Sequence, residues 1–192
     1  EIVSNTADGI TLRNTRNGEC RVLTFTDLHL DGKNDTSYTT VDYLVKNILR
    51  EKPDLVLLGG DNVTSAFNKK RAHQLAEIFE RLGVYWAGVL GNHEGDNKFS
   101  ITRPEMIEIF SSHEHCLMLE GPDDIWGDGN YYLNILNADN TLQHTFLFMD
   151  TGDEVSADTK EEYGIPADES PYDGVKKSQV AWYKEVIERN RA

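Results

Sequence analysis

The chain has 192 residues, a net charge of −14, 39% hydrophobic residues and 27% charged ones, the make-up of one globular domain (1–192) with a sizeable core. The acidic balance argues against a general nucleic-acid binder, which needs a Lys/Arg surface to meet phosphates. No apolar run reaches the roughly 20 residues that span a bilayer as a helix.

Taken in order, Glu1 to Glu19 is polar and predicts a frayed end with one short edge strand at Ile10-Thr11-Leu12. Arg21 to Thr26 predicts the first core strand. The loop from Asp27 to Ser37 is rich in Asp, Gly, Asn and Thr. A helix follows, with Val41, Leu44, Val45, Ile48 and Leu49 on one face and Pro53 at its end. Asp54 to Leu58 is the second strand. A second helix places Ala72, Leu75, Ala76, Phe79 and Leu82 on one face and stops at Gly83. Val84 to Leu90 is the third strand. Thr102, Pro104 and Glu105 predict the capped start of a third helix, which uses Met106, Ile107, Ile109 and Phe110. This alternation predicts α/β layering with right-handed crossovers.

The second half changes character. Leu117-Met118-Leu119, Tyr131 to Leu136 and Thr145 to Met149 read as strands of a second, more antiparallel sheet. The last two fit a hairpin around Asn137-Ala138-Asp139-Asn140. Asp150 to Pro171 is a long polar loop of the kind that is functional or mobile. The closing helix, Lys176 to Asn190, points Val180, Tyr183, Val186 and Ile187 inward. Cys20 and Cys116 read as buried thiols, and two cysteines do not fix the redox compartment. The cytoplasm is slightly favoured, and with Glu1 in place of Met any signal peptide is out of view. Oligomeric state is left open.

Each of the first three strands ends in a polar group. Strand one runs into Asp27-Leu28-His29, strand two into Gly59-Gly60-Asp61-Asn62, and strand three into Gly91-Asn92-His93-Glu94. Open α/β sheets place ligands at the carboxyl ends of their strands. If the three strands lie parallel, Asp27, His29, Asp61, Asn92 and His93 converge on one rim. Carboxylate, imidazole and amide oxygen suit hard or borderline metals. Gly59, Gly60 and Gly91 let the backbone turn sharply and approach a ligand.

These blocks resemble the calcineurin-like metallophosphoesterases, which include purple acid phosphatases, protein phosphatases and phosphodiesterases. The matching residues are Asp27-x-His29, Gly60-Asp61-Asn62-Val63 and Gly91-Asn92-His93-Glu94. The segment Tyr172 to Tyr183 looks like the family's helix before its lone His. The likeness runs from about Arg21 to the end. That lone His and the later G-H-x-H block are missing, so the chain reads as the amino-terminal portion of a longer enzyme. The resemblance implies a layered β-sandwich flanked by helices, incomplete at its C-terminal end. It implies two metal ions (Mn, Fe or Zn), with Asp27 and His29 on the first, Asn92 on the second and Asp61 bridging. It also implies a metal-bound hydroxide attacking a phosphoester substrate at phosphorus, with His93 stabilising charge or protonating the leaving oxygen. With part of the ligand set missing, this chain alone is expected to be weakly active or inactive. The purple-acid-type and bacterial Ser/Thr-phosphatase-like branches are most similar.

Glu94 reads either as a residue that orients His93 or a ligand from behind, or as a helix-start or solvated carboxylate. Asp31 is open in the same way. His113-Glu114-His115 reads as a solvated helix end rather than a metal site. Trp126 and Tyr131-Tyr132 read as core rather than pocket wall. The competing function is a non-catalytic metallophosphoesterase-like module that binds a partner protein. A nucleotide pyrophosphatase or cyclic-nucleotide phosphodiesterase would share the metal core.

Overall fold

The computed structural model of the chain describes every residue except Asn17, Lys33, Asn34, Asn97, Ser170 and Ala192, with the side chains of Asp35 and Thr36 also outside the description. The parts of the expected loops that fall on 33, 34, 97 and 170 lie outside the described residues. Among the described residues the fold is mixed α/β with two sheets and five α-helices, consistent with the metallophosphoesterase fold. Strands β3 (Val22–Phe25), β4 (Leu55–Leu58) and β5 (Tyr85–Gly88) form a parallel sheet in that order. Helix α1 (Asp35–Glu51) connects β3 to β4, and α2 (Asn68–Leu82) connects β4 to β5. Parallel neighbours need such crossovers. β4 and β5 are near-continuous buried runs, as in a sheet covered on both faces, while β3 at the edge is only half-buried and exposes Thr24.

The second sheet has the order β1 (Ile2–Asn5), β2 (Gly9–Arg13), β6 (Tyr131–Leu136), β7 (Leu142–Phe148). The pair β6–β7 is the expected hairpin, with Asn140 left-handed at its turn. The expectation for the first residues needs correction. Ile10-Thr11-Leu12 belongs to an inner strand, antiparallel to β1 and parallel to β6. Ile10 and Leu12 are buried in the common core, which outweighs the polar residues around them. The Leu117-Met118-Leu119 strand is also corrected. Only a single bridge forms there, between Trp86 and Cys116, and Leu117 and Met118 plug the core from an irregular segment.

One hydrophobic cluster joins the two sheets. Tyr131 sits at its centre. Its hydroxyl accepts from the Gly88 N–H at 3.0 Å and donates to the Gly88 carbonyl at 2.6 Å, pinning β6 to the end of β5. Tyr131 is therefore core, as expected. Trp86 packs between Phe79 of α2 (4.8 Å) and Phe110 of α3 (Arg103–Ser111; 5.1 Å). The predicted caps form: Gly83 ends α2 in the left-handed conformation, and Thr102 with Glu105 makes a capping box. Leu49 departs from its expected face and is exposed.

The long loop holds a short helix α4 (Ala157–Tyr163), started by Ser156 and stopped by Gly164. The closing helix α5 (Lys177–Arg191) buries Gln179, Trp182 and Val186, while Val180, Tyr183 and Ile187 are only half-buried. Asp8, in the β1–β2 turn, accepts from Trp182 Nε1 at 3.4 Å and pairs with Arg189. The cysteines are free, and burial pushes the Cys116 thiol far above its ordinary range.

His113-Glu114-His115 is not the solvated end that was expected. His115 is half-buried, and its ring and backbone N–H both bond to Glu80, each at 2.8 Å. Burial raises the Glu80 carboxyl, but these bonds outweigh it and hold the group below its ordinary value of 4.5. A carboxyl depressed by folding stabilises above its unfolded pKa, and that contribution is lost as pH falls through the folded value. Urea midpoints should therefore fall with acidification below about pH 4.5, and less steeply in Glu80→Gln. Equal slopes would remove Glu80 from the acid response.

Candidate metal centre

The loops after β3, β4 and β5 lie side by side at the carboxyl ends of the parallel sheet. Asp27 N–H donates to the Gly60 carbonyl (3.0 Å), His29 N–H to Asp61 (2.9 Å), and Leu30 N–H to Asn62 (2.9 Å). The first loop thus runs alongside the second. Gly60 (φ 103°) meets the third loop so closely that a Cβ there would sit 2.9 Å from Gly91 Cα. A Cβ on Gly91 would land on the Asp61 carboxylate. Only glycine permits this approach.

Asp27, His29 and Asp61 come together. One ligand atom from each lies within 4.8 Å of the others. His29 Nε2 is 3.7 Å from Asp27 Oδ1 and 4.0 Å from Asp61 Oδ2. Bonds of about 2.0–2.2 Å place two ligands of one ion at most about 4.4 Å apart, so these two separations suit a shared ion. The donors are two hard oxygens and one imidazole, and they fit a divalent cation. All three residues have left-handed backbone: φ is 55° at Asp27, 45° at His29 and 53° at Asp61. Non-glycine residues held this way cluster at functional sites.

His93 stands beside this group, its ring 5.4 Å from the His29 ring. Its backbone N–H donates to Asp61 Oδ1 at 2.9 Å. Its Nδ1 bonds the Asp96 carboxylate, which raises the His93 pKa against the opposing effect of burial, with Asp61 and Glu94 adding to the rise. Asn92 is half-buried and immediately precedes the 3₁₀ turn His93–Gly95. Asp31 lies off the cluster and accepts from Ser37.

Glu94 is 2% exposed, so the solvated reading is excluded. Its carboxylate accepts the backbone N–H groups of Asn62 (2.6 Å), Gly91 (2.8 Å) and Asp61 (3.2 Å). Burial raises its pKa and the neighbouring Asp61 carboxylate adds to the rise, while the backbone N–H groups of Asn62 and Gly91 oppose it. Glu94 thereby ties the second and third loops into one frame. Glu94→Gln keeps the shape but turns an NH₂ toward backbone donors. Metal affinity should fall about 10- to 100-fold, as for other residues that orient ligands. Calorimetric titration with Mn²⁺ checks this, and an unchanged affinity would reduce Glu94 to packing.

Sequence reasoning missed a second brace. Arg103 donates to the carbonyls of Gly91 (2.7 Å) and Leu90 (3.2 Å) and forms an ion pair with Asp150 (2.6 Å). Asp150 is 3% exposed and also accepts from the N–H groups of Asp128 and Gly152, each at 2.8 Å. Fully buried Gln179 donates to the Asp150 carbonyl and to Asn130 Oδ1 (2.8 Å). The loop after β5 is thus braced through Arg103 and Asp150 to the second sheet and the start of α5. The one sequence signal was polar Gln179 on the apolar face of α5. Arg103 and Asp150 had none.

Two sheets, with carboxylate and imidazole groups gathered at the carboxyl ends of β3 and β4, make an α/β protein with a candidate metal site. The model of the calcineurin-like phosphoesterase family matches residues 20–191, and the chain belongs to that family. Among its relatives in Arabidopsis thaliana are "Probable inactive purple acid phosphatase 14", 28% identical over 90% of this chain and 48% of that protein, and "Probable inactive purple acid phosphatase 29", 28% identical over 96% and 51%. "Probable inactive purple acid phosphatase 28" is 27% identical over 77% of this chain and 39% of its own length. The chain spans about half the length of the first two.

Proposed function

We propose that the chain carries metal-binding residues of a phosphoester hydrolase. The observation behind this reading is the meeting of Asp27, His29 and Asp61, with the His93 ring beside them. Asp27, His29 and Asp61 would hold one ion, and Asp61 with Asn92 would reach toward a second; Mn, Fe and Zn all suit these donors. When bound, such ions supply Lewis acidity and a nucleophile at neutral pH. Asp61 keeps its orientation through the His93 N–H. The Asp96 carboxylate on Nδ1 favours the protonated His93 ring, which suits it to stabilise phosphoryl charge or give a proton to the leaving oxygen through Nε2. Glu94 and Arg103 hold the loops in register.

The test is metal content by elemental analysis of the intact protein, followed by hydrolysis of p-nitrophenyl phosphate with Mn²⁺, Zn²⁺ or Fe²⁺. Metal-dependent turnover supports the reading. Inertness with all three overturns it. A second reading, a family member that binds a partner without catalysis, is favoured by the word "inactive" in the relatives' names. Metal binding without turnover on any ester is its expected signature.

A further inference from the structure

The two carboxylates of the candidate centre are held in different ways. Asp61 is enclosed, and its Oδ1 takes the His93 N–H at 2.9 Å. Asp27 is exposed, and the residue before it supplies the restraint. The Thr26 hydroxyl donates to Asp27 Oδ2 at 2.5 Å. Hydroxyl-to-carboxylate bonds of this length are at the strong end of their kind. The other oxygen, Oδ1, faces His29 Nε2 at 3.7 Å. The two oxygens of Asp27 are thus sorted, one toward a protein hydroxyl and one toward the imidazole.

Thr26 is itself fixed. Gly59 N–H donates to the Phe25 carbonyl at 2.8 Å, and Asp27 N–H donates to the Gly60 carbonyl at 3.0 Å. The backbone on either side of Thr26 is therefore tied to the second loop. A Cβ at Gly59 would lie 3.1 Å from both Cβ and Oγ1 of Thr26. The bare glycine leaves the room that the threonine side chain takes. Threonine is β-branched and stiff at χ1, so the hydroxyl stays in position when no ion is bound.

We propose that Thr26 is a positioning residue that makes Asp27 a one-oxygen ligand and so sets which cations the site prefers. The proposal rests on the metal reading of Asp27, His29 and Asp61. With Oδ2 engaged, Asp27 turns Oδ1 alone to the ion. Zn²⁺ completes its shell with about four ligands at short distance. Ca²⁺ takes about six to eight oxygens and often draws on both oxygens of one carboxylate. A hydroxyl on Oδ2 therefore favours the smaller ion and handicaps the larger one.

The test is calorimetric titration of the intact, chelator-stripped protein with Zn²⁺ and with Ca²⁺, in the parent and in Thr26→Val, Thr26→Ser and Asp27→Ala. Valine keeps the shape of threonine and loses the hydroxyl, and at this exposed position the urea midpoint should not move. Zn²⁺ affinity should fall about tenfold in Thr26→Val, the lower end for a residue that orients a ligand, while Ca²⁺ affinity holds or rises. Thr26→Ser should keep both parent values. An equal loss for the two ions would mean plain loosening of the loop and would overturn the proposal. So would parent-like Zn²⁺ affinity in Thr26→Val, or a serine variant that behaves like the valine one. Asp27→Ala separates these failures from failure of the metal reading. If it loses Zn²⁺ while Thr26→Val does not, Asp27 remains a ligand and Thr26 has no part in the site. If it binds Zn²⁺ as the parent does, the metal reading of Asp27 fails and the proposal falls with it.

Discussion

Asp61→Ala is expected to strip the site of bound metal and to lower kcat/KM for any phosphoester by about a thousandfold or more, some 4 kcal/mol of barrier. Asp61 is the most enclosed of the three donors. Its side chain is 13% exposed, against 60% for Asp27 and 45% for His29. Its two oxygens do different things: Oδ1 accepts the His93 N–H at 2.9 Å, and Oδ2 faces His29 Nε2 at 4.0 Å. Removing the carboxylate therefore removes a proposed metal donor and frees the turn that carries His93. Asp61→Asn separates the two effects. It keeps an oxygen for His93 N–H but loses the charge. Metal content should fall in both variants, and the His93 turn should loosen only in the alanine one, visible as faster amide exchange at His93. Parent-like metal content in Asp61→Ala would remove Asp61 from the ligand set.

Arg103→Leu should be the most destabilising single substitution near the site, by about 3–5 kcal/mol, the usual cost of breaking a buried ion pair by removing one partner. The variant leaves Asp150 buried without its ion-pair partner. It also strips the donors from the carbonyls of Leu90 and Gly91. Urea unfolding reads the change directly. Because Gly91 abuts Asp61, the folded fraction should also bind metal more weakly. Loss of stability within 0.5 kcal/mol of the parent would mean that the brace is dispensable, since surface substitutions sit in that range.

The parallel half of the fold was legible because its rules are local. Apolar runs five to seven residues long, helical spacing at Leu44, Ile48, Leu75 and Phe79, the stop at Gly83 and the box at Thr102 each act within a turn or two. The meeting of Asp27, His29 and Asp61 was legible because each follows a strand directly, and parallel strands deliver their ends to one rim. The rest depended on distant partners. Ile10 and Leu12 looked marginal in a polar stretch and became core only through β6, far along the chain. Arg103 and Asp150 are an unremarkable cation and acid until folding buries them against each other. Glu94 read equally well as solvated or supporting, because its three partners are backbone N–H groups, which no side-chain pattern advertises.

The left-handed backbone at Asp27, His29 and Asp61 also bears on history. Each such residue carries on the order of 1 kcal/mol that glycine would relieve. A lineage whose site had fallen idle would gain by letting these positions drift to glycine, with the loops still held by Glu94 and Arg103. Asp, His and Asp at all three positions are a standing load on a marginally stable fold. The ratio of glycine to acid or imidazole at these three positions across relatives would therefore date the loss of metal in any branch, independently of any assay.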